Sequence, residues 1–240
     1  MNSCHNNKVK INLENVKKIY DKIVVLDDIN IKVYEGEFVS ILGPSGCGKS
    51  TIFNIIANLI NYDNGKVDIN GKLSYMYQKD LLLPYKTIID NVTLPMILNK
   101  EKKNIAYEKV KEYFNIFGLE GYENKYPSEL SGGMKQRANF LRTYVASNDI
   151  MLLDEPFGAL DSITKSSMQK WLLEVKSKVN STILLITHDI DEAIMMSDRI
   201  YVIEKKPSSV KKEFILNRDY YNEENIENIF KLKKEILELL

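Results

Sequence analysis

The stretch Gly43-Pro-Ser-Gly-Cys-Gly-Lys-Ser50 fits the pattern G-x-x-x-x-G-K-[ST] and follows at once on Phe38-Val-Ser-Ile-Leu42, a short apolar run suited to a buried strand. This constrains the fold more than any other segment, because such a loop works only between a strand and the N-terminus of a helix. Lys49 to Leu59 reads as that helix. Gly43, Gly46 and Gly48 let backbone N–H groups approach anionic oxygens with no Cβ in the way, and the helix N-terminus favours negative charge. With Pro44, Ser45 and Cys47 completing the loop and Thr51 close by at the helix start, the segment reads as a cradle for a nucleoside triphosphate. Lys49 would reach the β- and γ-phosphates, and the Ser50 hydroxyl is the natural magnesium ligand.

Ile150-Met-Leu-Leu-Asp154-Glu155-Pro156 carries a second apolar run into two adjacent carboxylates. Asp154, at the carboxyl end of the strand, is placed to hold the magnesium shell, while Glu155 could accept a proton from attacking water. Thr187-His188-Asp189 follows a further apolar strand, so the imidazole would emerge on the same edge of the sheet. Leu130-Ser-Gly-Gly-Met134 is a second glycine-rich segment, just ahead of a long helical pattern. A helix N-terminus carries roughly half a positive charge and unpaired N–H donors, which makes Ser131, Gly132 and Gly133 a second anion cradle.

At 240 residues and 44% hydrophobic content, the chain can bury a sizeable core as one domain with a lobe inserted. Val9, Ile11 and Leu13, then Ile29, Ile31 and Val33, alternate with polar residues as in half-buried strands of an N-terminal antiparallel sheet. Asn70-Gly71 reads as a hairpin turn before a strand over Leu73 to Gln78. From about Asn99 to Ser147 the pattern turns helical, with Ala106, Val110, Tyr113, Phe114 and Phe117 on one face and Gly118 as a stop. Strands return at Ile150 to Leu153, Thr182 to Thr187 and Ile200 to Ile203, the first two as the continuous runs of a parallel sheet covered on both faces. Glu223 to Leu240, with Ile226, Ile229, Phe230, Leu232, Ile236 and Leu237, has helical periodicity, and packing on its own domain is favoured over binding to a partner or membrane surface.

Lys+Arg 33 against Asp+Glu 33 leaves no net charge, so no global basic field points to nucleic acid or anionic lipid. The two cysteines, Cys4 and Cys47, offer neither a disulfide framework nor a metal-ligand spacing, in keeping with a reducing, cytosolic setting. The start MNSCHNNKVKINL lacks the pattern of a signal peptide, and no apolar run approaches the roughly 18 residues of a spanning helix. Membrane association is therefore expected only through a partner.

From Tyr20 to about Lys206 the chain resembles the ATP-binding subunits of ATP-binding cassette (ABC) transporters. The resemblance implies an α/β fold: a P-loop NTPase core with a mainly parallel sheet, an N-terminal antiparallel β-subdomain and an inserted α-helical subdomain. It would make residues 1–240 a single domain, with 8–98 and 148–206 as core, 99–147 as helical lobe and 207–240 as a C-terminal strand and helix. In that family Tyr20 matches the aromatic that stacks on adenine, and Gln78 the glutamine that contacts magnesium and attacking water and senses the transmembrane partner. Glu155 matches the catalytic base, His188 the switch histidine on the γ-phosphate, and Asp161 the loop that crosses between subunits. Leu130 to Met134 matches the family signature, whose cradle completes the ATP site of the other subunit. Two chains, here a homodimer, would thus enclose two ATP molecules head to tail with Mg2+.

Leu81-Leu-Leu-Pro-Tyr-Lys-Thr-Ile-Ile-Asp-Asn-Val92, Asp154 to Asp161 and Thr187 to Ile194 resemble bacterial importer subunits, above all the nitrate, sulfonate and taurine group, which includes transporters of thiamine-precursor pyrimidines. Tyr85 stands where that group often has tryptophan, and Asn148-Asp149 where it often has a proline. This resemblance implies ATP-driven dimer closure that powers uptake of a small solute through a separate integral-membrane permease. It also implies a place at the cytoplasmic face of the membrane and an extracytoplasmic substrate-binding protein engaged indirectly. The alternative is a soluble ABC ATPase outside transport.

Overall fold

The structure, a computed structural model, describes residues 8–79, 81–179, 181–205, 207–217 and 225–240; Cys4 and the start of the C-terminal segment lie outside these. In chain order the elements are β1 (Val9–Tyr20), β2 (Ile23–Tyr34), β3 (Phe38–Leu42), α1 (Lys49–Ile56), β4 (Asn64–Ile69), β5 (Leu73–Met76), α2 (Ile88–Leu98) and α3 (Lys103–Ile116). They continue with α4 (Gly132–Ala146), β6 (Ile150–Asp154), α5 (Ser162–Lys178), β7 (Thr182–Thr187), α6 (Ile190–Met196), β8 (Arg199–Ile203), β9 (Val210–Ile215) and α7 (Ile226–Leu239). They fall into two compact units, residues 1–71 with 181–240, and residues 72–180.

In the first unit the N-terminal alternation becomes an antiparallel sheet in the order β2-β1-β4, with Ile11, Leu13, Ile29, Ile31 and Val33 buried. Asp21 and Lys22 join β1 to β2 with φ of 46° and 69°, the double left-handed geometry that matches the twist of a tight hairpin. The central strand β3 is buried along its whole length and pairs in parallel with β7 on one side and β8 on the other, while β9 closes on β8 antiparallel.

Two expectations are corrected here. Helix α1 stops at Ile56 and not at Leu59, because Asn58 takes a left-handed φ of 55° and folds the chain back: Leu59 N–H donates to Asn54 O at 2.8 Å and Asn58 N–H to Ile55 O at 3.0 Å. This is a helix stop in which asparagine stands where glycine is usual. Asn70-Gly71 is not a hairpin turn. Asn70 directly follows β4, tied to β1 through its N–H on Lys10 O at 2.8 Å and its side chain on Val9 O at 3.0 Å, whereas β5 pairs with β6 in the other unit. In β4, Asn-Gly-Lys-Val-Asp-Ile, the first three residues are exposed and the apolar alternation is confined to Val67 and Ile69, too short a signal to mark a strand.

Helix α7 covers the end of this unit. Ile236 is completely buried among Leu42, Ala193, Ile194, Ile200, Val202 and Phe214, with Ile229, Leu232 and Leu239 packed at the margin. Lys233 adds an ion pair to Asp191 on α6 at 2.7 Å. Own-domain packing thus accounts for one face of the helix; Ile226, Phe230 and Leu237 face solvent on another.

In the second unit β5 and β6 run parallel, and α2, α3 and α4 pack together, so the helical part opens at Ile88, ahead of Asn99. Thr87 caps α2, accepting from Asp90 N–H at 3.3 Å. Burial would raise the Asp90 carboxyl, but hydrogen bonds from Tyr107, Lys103 and Thr87 outweigh it and bring the pKa to about 2. Lys103, at the start of α3, is the ion-pair partner of Asp90 at 2.9 Å. On α3, Ala106, Val110 and Phe114 are buried as their spacing predicts, Tyr113 meets the edge of Tyr144, and Gly118 ends the helix with φ 66°. Among the described residues no helix is long and apolar enough to cross a membrane.

The two faces of α7 should respond differently to truncation. Ile236→Ala opens a cavity in a fully buried cluster and should lower unfolding free energy by about 2–5 kcal/mol, whereas Phe230→Ala should change it by less than about 0.5 kcal/mol, both read from urea denaturation of the full chain.

Candidate functional site

The glycine loop sits where β3 delivers it. A Cβ on Gly43 would lie 2.8 Å from Ile203 O and 2.9 Å from Cys47 Sγ, so the loop passes β8 at a distance only glycine permits. Gly46 and Gly48 have φ of 78° and 96°, and Gly48 opens α1 with no side chain capping the helix. The first N–H groups of α1 are thus left for whatever the loop holds. Cys47 is buried, and its carbonyl accepts from Ser208 Oγ. Lys49, only 5% exposed, folds over the loop and donates from Nζ to Gly43 O at 2.7 Å and Pro44 O at 3.0 Å. An ammonium has three donors, so these two bonds aim the group without exhausting it. Ser45 and Ser50 are exposed and Thr51 is half-buried beside them.

The sheet register places His188 next to this loop. Leu42 pairs with Thr187 across β3 and β7, so Gly43 and His188 leave adjacent parallel strands at the same level. His188 is exposed, and Asp189 behind it caps α6, accepting from Glu192 N–H at 3.1 Å. Tyr20, 43% exposed, ends β1 just before the Asp21-Lys22 turn. Lys18 Nζ lies 5.1 Å from its ring centre, and Asp63 holds the strand end by accepting from Ile19 N–H at 2.6 Å.

In the second unit the carboxylate pair and Gln78 are brought together by a parallel register. Met76 pairs with Leu153, so the residues that follow, Gln78 on one strand and Glu155 on the other, emerge side by side, and Gln78 Nε2 donates to Glu155 Oε2 at 3.4 Å. Gln78 lies two residues past the end of β5 rather than within it. Glu155 has φ of 43°, a left-handed conformation rare for a residue with a long side chain, and Gly158 N–H closes the turn on Glu155 O at 3.1 Å. Gly158 also lines this pair: a Cβ there would lie 3.7 Å from Gln78 Nε2 and 3.8 Å from Glu155 Oε2.

The second glycine segment is a helix N-terminus as expected. Ser131 caps α4, accepting from Met134 N–H at 3.3 Å, and Gly132 and Gly133 form its first turn. These three residues share an open cavity of about 520 Å³ with Asp161 and Thr164. Asp161 has a local task that sequence reasoning missed: its Oδ1 caps α5, accepting from Ile163 and Thr164 N–H at 3.1 Å each. The Thr164 hydroxyl and backbone N–H hold the Asp161 carboxyl below the usual carboxylate range.

Two further residues were missed. Gln136, buried on α4, donates from Nε2 to Pro156 O and so ties the signature helix to the turn that carries Glu155. Its signal was a glutamine at the fifth position of the α4 pattern, one turn ahead of the buried Phe140 and on the same face. Tyr75, on β5, donates its hydroxyl to Asp154 Oδ2 at 3.2 Å. Burial first, and the Asp154 charge second, push this phenol well above its usual pKa, which keeps it a donor.

Comparison with known proteins bears on the same residues. The ABC transporter family model matches residues 26–158, more than half of the chain. The formylaminopyrimidine import ATP-binding protein of Halalkalibacterium halodurans is 46% identical over 76% of this chain and 74% of its own. An aliphatic sulfonates import ATP-binding protein of Bacillus cereus is 37% identical over 95% of this chain and 94% of its own. A solved dimeric ATP-binding cassette in a post-hydrolysis state, bound to ADP and Pi, superposes with a TM-score of 0.72 at 32% identity, covering 86% of this chain and 99% of that one.

Removing the tie between α4 and the carboxylate turn should be costly. Gln136→Leu leaves the Pro156 carbonyl without this donor and should lower stability by about 1–3 kcal/mol in denaturant titration.

Proposed function

The chain belongs to the ABC transporter family of ATP-binding proteins, and from that premise we propose that it is the ATP-hydrolysing subunit of a bacterial importer for a small solute. The observation that carries the enzymatic part is the contact between Gln78 and Glu155 at the end of two parallel strands. An amide that can orient water beside a carboxylate that can take its proton is the arrangement hydrolysis requires. In this reading Tyr20 stacks on adenine, and Gly43 to Thr51 wrap the phosphates, with Lys49 exchanging loop carbonyls for β- and γ-phosphate oxygens. His188, level with Gly43, reaches the γ-phosphate, and Glu155 receives the proton of the water that Gln78 orients.

The Ser50 hydroxyl, the Gln78 amide oxygen and the Asp154 carboxylate are all hard oxygen donors, the set that suits Mg2+ brought in on phosphate oxygens. Bound there, the ion would neutralise charge that develops on the transferred phosphoryl group. Asp154 is assigned to its hydration shell, Ser50 and Gln78 to direct contact.

Ser131, Gly132, Gly133 and Asp161 are assigned to the ATP held by a second copy of the chain. Their grouping around one open cavity, and the dimer formed by the similar cassette, support this. Closure of such a homodimer on two ATP molecules would drive the permease at the cytoplasmic face. An extracytoplasmic binding protein would meet the complex only through that permease. Leu81 and Tyr85, exposed by 53% and 73%, follow Gln78 in sequence and are assigned to the permease contact. Sulfonates, taurine, nitrate or formylaminopyrimidine-like compounds form the cargo class, in keeping with the two relatives named above.

Glu155→Gln should lower steady-state ATP hydrolysis by about 100-fold or more while leaving ATP affinity intact; hydrolysis at the wild-type rate would remove Glu155 as the base. Leu81→Glu with Tyr85→Glu should abolish co-purification with a detergent-extracted permease, and retention of the permease would show that it docks elsewhere.

A further inference from the structure

Tyr75 stands opposite Leu152 in the parallel pairing of β5 with β6. Side chains two apart on a strand share a face, so Leu152 and Asp154 lie on one side of β6. The phenol extends along that side until its hydroxyl meets Asp154 Oδ2 at 3.2 Å. The ring is held there. Tyr77 stacks on it with ring centres 4.2 Å apart and planes inclined by 15°. The alternate residues Ser74 and Met76 are buried, and Ser74 Oγ donates to Ser147 O at 2.9 Å, which anchors the strand that carries the ring.

We propose that Tyr75 is a positioning residue for the metal-holding carboxylate: its O–H occupies a lone pair of Asp154 Oδ2 and so sets the direction in which that carboxylate meets the magnesium shell. The proposal rests on the assignment of Asp154 given above. Outer hydrogen bonds orient a metal-holding carboxylate, and losing one costs metal affinity although no ligand has been removed. Tyr75 itself touches neither nucleotide nor metal in this scheme.

The test uses the full chain with ADP and Mn2+ in place of Mg2+, with bound metal read by electron paramagnetic resonance against a nucleotide-only control. Tyr75→Phe deletes one hydroxyl and keeps the ring and its stack. The Mn2+ concentration for half-saturation should rise about 10-fold, with metal-free ADP affinity unchanged. Tyr77→Phe, which keeps the stack and leaves the Asp154 contact alone, should stay within about twofold of wild type. An unmoved Mn2+ midpoint in Tyr75→Phe overturns the proposal, provided Asp154→Asn raises it. If Asp154→Asn leaves it unmoved as well, the assignment of Asp154 is what has failed, and the role of Tyr75 falls with it. A measurement on the unaltered chain guards against a variant that does not fold: with 13C-labelled tyrosine, the Tyr75 Cζ resonance should shift when Mg2+ is added to the ADP-loaded protein. A resonance that stays in place overturns the proposal equally.

Discussion

The register of one buried strand governs the first unit. Strand β3 has no exposed residue, and Leu42 is opposite Thr187 on one neighbour and Val202 on the other. A slip by one residue would exchange the two faces of a strand that is apolar on both, and would break its pairing with β7 and β8 together. The position of Gly43 follows from that register, as does the level at which His188 leaves the sheet. Ile203, one residue past the last β3 partner on β8, then places its carbonyl where Gly43 can carry no side chain. Leu42 also belongs to the apolar cluster that α7 closes, so the last helix supports the base of the loop that begins one residue later.

The second unit applies the same device with shorter strands. The pairing of β5 and β6 spans Leu73 to Met76 only, yet it brings Tyr75 to Asp154 and Gln78 to Glu155. Helix α4 is fastened to the same place from the other direction, through Gln136 on Pro156 and through Phe140, whose ring centre lies 6.1 Å from that of Phe157. The helix that begins with Ser131 is therefore part of the scaffold of the carboxylate turn.

What could be read from the residues follows the strength of their periodicity. The continuous runs at β3, β6 and β7 are legible because burial on both faces demands apolar residues at every position. The stripe of α3 is legible because Ala106, Val110 and Phe114 return every four residues to one face. Strand β4 has only a short signal, Val67 and Ile69, and its exposed first half is defined by backbone pairing with β1, to which side-chain polarity is indifferent. The stop of α1 at Asn58 and the hairpin at Asp21-Lys22 depend on left-handed backbone at non-glycine residues, which composition does not announce. The contacts of Tyr75 and Gln136 are long-range, 79 and 20 residues apart in the chain, and no local pattern encodes them.

The backbone at Glu155 shows how much depends on a single dihedral angle. In a strand that simply continued, Asp154 and Glu155 would point to opposite sides of the sheet, and the two carboxylates would face different surroundings. The left-handed φ of 43° interrupts that alternation after Asp154 and turns Glu155 toward Gln78. A glycine would adopt this angle with less strain, so retaining a glutamate here costs on the order of 1 kcal/mol of conformational energy. The protein is to that extent less stable than its backbone would allow, and what the concession secures is a carboxylate whose direction is set by the main chain before any substrate arrives.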